Sequence, residues 1–151
     1  MMIEADILKA LQTAAIAAYA ASPLCAAPYN WPSDGKGRIK PAGITFNPPD
    51  ADARWIEFVN IVNNRDNDYW DDGRVYQGNF RIILHWPPDE AGAYVPMRIM
   101  DDLVGRFPKG VLLREGNAVV QIYGVPLASG VIENGSELLL PVALPYRCWK
   151  A

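Results

Sequence analysis

The chain is poor in the side chains that carry most enzymatic chemistry. Its 151 residues hold one histidine, His85, and two cysteines, Cys25 and Cys148. A single histidine excludes an HExxH zinc site or a two-histidine iron site. Two cysteines are too few for a disulfide framework or a four-thiolate zinc site. No GxGxxG, P-loop or GxSxG stretch occurs, so no phosphate cradle or nucleophile elbow is indicated. Positive charge is also short. The net charge is −3 and the pI is about 5.1, which argues against a main role in gripping nucleic-acid backbone. The run Lys36, Arg38, Lys40 is too brief to read as a nucleic-acid patch. Internal repeats and low-complexity tracts are missing.

What is there fits one soluble domain over residues 1–151, since 50% of the chain is hydrophobic and 21% charged. A chain of this size buries roughly 68–70% of its unfolded surface, so it needs no staples to hold a core. Thirteen prolines and twelve glycines make it loop-rich, and five tryptophans suit surfaces meant to be covered. The alanine-rich stretch 11–27 is not expected to be a signal peptide. Glu4 and Asp6 precede Lys9 where a secretory leader wants positive charge. It is also too short and weakly apolar to span a bilayer. The expectation is a cytoplasmic product with both thiols reduced.

Periodicity organises the remainder. Ile3, Ile7, Leu11, Ala15 and Ala18 recur at helical steps, which predicts a helix from Ile3 to about Ala20, ended by Ser22-Pro23. Residues 22–53 carry six prolines and read as one long loop, a length that is usually functional. Trp55 to Val62 reads as a strand. Residues 63–74 are a polar hairpin tip, and Val75 to Trp86 forms the return strand. Tyr76, Phe80, Ile82, Leu84 and Trp86 fall on one face of it, with Gln77, Asn79, Arg81 and His85 on the other and Ile83 as the exception there. A second helix is predicted from about Ala93 to Phe107, with Ile99, Met100, Leu103, Val104 and Phe107 as its apolar stripe. A short strand near 111–114, a tight turn at 115–117 and a strand from Ala118 to Tyr123 follow. Glu137 to Cys148 closes the chain, with Leu138, Leu140, Val142, Leu144 and Tyr146 alternating inward and Pro141 and Pro145 pointing to an edge or bulged strand. The order α-β-β-α-(β)-β-β predicts an α+β fold, a largely antiparallel or mixed sheet with two helices packed on it.

Candidate chemistry is thin. Asp66, Asp68, Asp71 and Asp72, flanked by Arg65 and Arg74, form the densest ionisable cluster. Their spacing does not match the EF-hand loop, so a metal site is not expected. A merely solvated tip has no use for Tyr69 and Trp70. An interaction surface accommodates both, because Tyr, Trp and Arg are enriched at binding hot spots. His85 with either cysteine lacks any signature of a nucleophile and base. Asp101 and Asp102 are neighbours on a helix and point about 100° apart, so they do not converge on one substrate.

Several ordered motifs span residues 3–148. Trp31-Pro32 lies in the long loop. Phe46-Asn47-Pro48-Pro49 precedes the strand opening Trp55-Ile56. Tyr76-Gln77-Gly78-Asn79-Phe80 leads a strand ending in Pro87-Pro88. An amphipathic helix ends in Phe107, and Leu140-Pro141-Val142-Ala143-Leu144-Pro145-Tyr146-Arg147 closes the chain. In these features the chain resembles the tail terminator, or tail completion, family of long-tailed bacteriophages; the segment 33–44 looks like an insertion. The resemblance implies a non-enzymatic virion protein with no catalytic, cofactor or metal residues. It implies a homohexameric ring that caps the tail tube, stops elongation and offers a surface to the head–neck connector. The implied partners are self, tail tube protein and connector protein, with no membrane and no sequence-specific nucleic acid, and assembly takes place in the host cytoplasm. The alternatives are another neck or head-completion protein, or a small metal-dependent enzyme using the 66–72 cluster.

Overall fold

The computed structural model describes residues 4–21, 39–40, 42, 54–62, 76–88, 92–128 and 130–150. Helix α1 spans Glu4–Ala21. Strands β1 (Ile39–Lys40), β2 (Trp55–Val62) and β3 (Tyr76–Trp86) follow, then helix α2 (Tyr94–Gly105). The chain continues through β4 (Leu112–Glu115), β5 (Ala118–Ile122), β6 (Leu127–Ala128), β7 (Ile132–Asn134) and β8 (Glu137–Lys150). The strands form one open sheet in the order β1-β2-β3-β8-β5-β4, with β6 and β7 also paired to β8. All pairings are antiparallel except β1 with β2. The expected α+β class holds.

Alternation decides the faces. Phe80, Ile82, Leu84 and Trp86 of β3 are buried, as are Leu138, Leu140, Val142, Leu144, Tyr146 and Cys148 of β8. Both helices pack on this face. Helix α1 buries Ile7, Leu11, Ala15 and Ala18 of the expected stripe, whose Ile3 lies outside the described residues, and adds Ala10 and Tyr19. Helix α2 buries Ile99, Met100 and Leu103, and Phe107 just beyond it joins the same core. Pro96 sits in its first turn, where no N–H is required.

Polar contacts fix α1 in place. The Asn117 amide donates to the Asp6 carboxylate at 3.2 Å, holding the tight turn in which Gly116 takes φ +54°. Lys9 pairs with Glu115 at 3.0 Å, and the Ala42 amide donates to Gln12 Oε1 at 2.9 Å. Arg106 donates to the Ala21 carbonyl at the C-terminal end of the helix, where carbonyls lack intrahelical partners.

Three expectations need correction. The 22–53 stretch is not loop throughout, because Ile39 and Lys40 pair in parallel with Ile56 and Glu57. Residues 124–136, to which no element was assigned, contain β6 and β7. The signal for the β7–β8 hairpin is Gly135-Ser136: Asn134 pairs with Glu137 across this two-residue turn, and Gly135 takes φ +58°. Finally, β8 is not an edge strand. It is the central one, with β3 along one side and β5, β6 and β7 along the other.

Nor is β8 itself bulged: its register with β3 is unbroken from Leu138 to Cys148, and the bulges lie in its other partner. From Ile122 to Asn134 the outer strand takes twelve steps, where β8 takes nine from Tyr146 to Glu137. On that side β8 pairs through Tyr146, then Val142 and Ala143, then Leu139. The two gaps contain Pro145 and Pro141. The Tyr123 amide donates to the Pro145 carbonyl, so the backbone of the odd-numbered β8 residues turns toward this side. Proline has no N–H to give there, so the outer strand bulges past each one.

Candidate assembly surfaces

The predicted contact residues Arg65, Asp66, Asp68, Tyr69, Trp70, Asp71, Asp72 and Arg74 lie outside the described residues, as do Cys25, Trp31 and Phe46. Their anchors are described. Val62 pairs with Gly78, so the 63–75 connection leaves and returns at one end of the β2–β3 hairpin.

Two of the sequence motifs meet at that end. Gly78 is paired with Tyr146 across β3 and β8. A Cβ on Gly78 would lie 2.6 Å from the Tyr146 hydroxyl and 2.6 Å from the Ile61 carbonyl oxygen. Only glycine leaves room for this ring. Tyr146 passes over Gly78 and donates to Asn60 Oδ1 on β2 at 2.8 Å. Burial pushes its phenol up to about 12. The glycine of the YxGxF stretch and the tyrosine of the closing strand are therefore two halves of one packing unit.

At the other end of the sheet lies His85. The sequence puts it on the polar face, and it does point away from the helices, but it is buried, with 7% exposure. Trp55 stacks on its ring at 3.7 Å. Its Nε2 is 3.1 Å from Glu57 and its Nδ1 is 3.2 Å from Glu137, while Lys40 reaches Glu57 at 3.4 Å. Which ring nitrogen donates depends on the tautomer. The carboxylates meet opposite edges of the ring, so they do not share a point for a metal ion. Among the described residues no group of three or more His, Cys, Asp or Glu side chains is arranged to hold one. His85 is opposite Leu139, nine residues along β8 from Cys148, or about 30 Å. That separation rules out the His85–Cys148 pair as nucleophile and base. Asp101 is exposed, and Asp102 pairs with Arg106 at 3.3 Å.

The remaining features are surfaces. The outer edge of β6 and β7 is unpaired among the described residues. On these strands Leu127 and Ile132 are 65% and 48% exposed, and Val125 just before β6 is 67% exposed. Beside it, Met97 and Met100 of α2 and Leu140 and Val142 of β8 line an apolar hollow of about 30 Å³. The sheet face opposite the helices carries exposed Arg81, Arg114 and Arg147, and half-buried Ile83, Ala143 and Pro145. Among the described residues no helix is long and apolar enough to cross a membrane.

The chain belongs to the phage tail terminator protein family, whose model matches residues 6–146. It is thus a tail structural protein. Two solved structures share the fold. One chain has a TM-score of 0.68 at 18% identity, covering 97% of this chain and 92% of its own. A chain in the virion of a native gene transfer agent (GTA) particle has a TM-score of 0.63 at 14% identity, covering 93% and 96%. No curated protein matches the sequence.

Proposed function

We propose that the chain is a single domain that forms a homohexameric ring on the end of the phage tail tube. The ring stops further tube subunits from adding and presents its far face to the head–neck connector. The family match across residues 6–146 carries this reading. A ring is a closed head-to-tail assembly, so each subunit needs two different, complementary patches. The aspartate-rich tip with Tyr69 and Trp70 supplies one, as charge around aromatic anchors is the usual anatomy of an interface. The protein assembles in the host cytoplasm, resides in the virion tail and catalyses no reaction.

Light scattering and negative-stain imaging of the purified protein, alone and with tail tubes, test the proposal. A six-fold ring at the tube end is expected, with no further tube growth. A stable two-fold dimer that ignores tubes would overturn it.

A further inference from the structure

We infer that the helix-free face of the sheet is the receiving surface for the aspartate-rich 63–75 connection of a neighbouring copy of this chain. The inference rests on the ring reading above. It names the second of the two complementary patches that a ring requires.

Strand alternation sets out the surface. Arg81 of β3 is opposite Ala143 of β8. Arg147 of β8 is opposite Gln77 on one side and Gln121 on the other. Arg114 of β4 is opposite Val119, which is itself opposite Trp149. The three arginines therefore run diagonally across four strands, in steps of about 12–14 Å at ordinary strand spacings. All three are exposed. Arg147 donates to Gln121 Oε1 at 2.9 Å, and none of the three forms an ion pair with a described residue. The described acids on this face are Glu57 and Glu137, and both are engaged with His85. In a chain of net charge −3, three arginines on one face thus have no carboxylate partner among the described residues.

The densest group of acids in the same chain is Asp66, Asp68, Asp71 and Asp72, set around Tyr69 and Trp70. Arginine pairs with carboxylates through two parallel N–H bonds and also stacks on aromatic faces. The half-buried Ala143 and Pro145 lie between Arg81 and Arg147, and Ile83 flanks Arg81, so the two aromatic rings have an apolar floor. Charge and apolarity match together, which favours a protein segment over a nucleic acid. Phosphates come at much closer spacing than these arginines and have no use for the apolar floor.

Charge exchange between separate chains tests the contact. Two full-length variants are needed, R81E/R147E and D68K/D71K, each checked for wild-type melting. Wild-type protein must first form rings on tail tubes; if it does not, the ring reading itself fails. Each variant alone should lose at least tenfold in ring occupancy on tubes. An equimolar mixture should recover at least half of the wild-type occupancy, because every interface in an alternating ring then pairs opposite charges. Wild-type occupancy should fall with added salt. Normal assembly by either variant alone overturns the inference. So does recovery in a single chain carrying all four changes without recovery in the mixture, since the contact would then lie within one subunit. Loss of duplex DNA binding by R81E/R147E with assembly intact overturns it in favour of a nucleic-acid surface.

Discussion

Gly78 and Tyr146 show what single residues decide in this fold. The glycine sits inside a strand, where it normally weakens the sheet. Here it is needed because the Tyr146 ring occupies the place of its side chain. Gly78→Ala would meet both that ring and the Ile61 carbonyl, and should cost about 1–3 kcal/mol by overpacking, read from urea midpoints. Tyr146 also gives stability a pH dependence. Its phenol titrates near 12 in the fold, above the ordinary value of 10. The stabilisation is complete below pH 10 and is lost as pH rises through 12, because the unfolded chain ionises first. Tyr146→Phe should flatten that loss between pH 10 and 12 relative to wild type in paired urea titrations. An equal slope in both proteins would show that another group carries it.

At the scale of elements, β8 organises the sheet, and its prolines determine where neighbours can pair. Pro145 lies in a gap of the outer strand, so Pro145→Ala adds an N–H where no ladder bond was present. Its effect should stay within about 1 kcal/mol. Ala143 is paired with Leu127, two residues away. Ala143→Pro removes a donor from that pair and should cost about 1–3 kcal/mol by leaving an acceptor unmet. Equal melting temperatures for the two variants would contradict this register. Helix α2 is held by its buried stripe, with Leu103 at 2% exposure. Leu103→Ala should cost about 2–5 kcal/mol in denaturant unfolding. A change below about 0.5 kcal/mol, the range of surface substitutions, would contradict this packing.

For the whole molecule, stability and assembly should separate. The core lies between the helices and one face of the sheet, while the proposed contacts lie on the other face and on the 63–75 connection. Tyr69→Ala with Trp70→Ala should therefore leave the melting temperature nearly unchanged and abolish tail completion, giving overlong or headless tails in electron micrographs. Normal tails from that variant would remove the connection as an anchor. A rise in melting temperature with millimolar calcium or magnesium would instead favour a metal site in the 66–72 cluster.

The sequence by itself determined the two helices, the β2–β3 hairpin and the core. Those features follow from local periodicity, and Phe80, Ile82, Leu84, Ile99, Leu103, Leu140 and Leu144 are all buried as that periodicity predicts. It also carried the family motifs. Periodicity says which residues share a face but not which strands lie side by side. For that reason the central place of β8 was hidden, since proline in a strand argues for an edge until the partner is known to bulge. The same limit hid the joining of Gly78 to Tyr146 and Asn60, and of His85 to Glu57 and Glu137. Each of these contacts links residues far apart in the chain, and only the strand register brings them together. Alternation alone places Arg81 and Arg147 away from the core. Their alignment with Arg114 across four strands was decided by the tertiary structure, because it depends on β5 pairing with both β4 and β8.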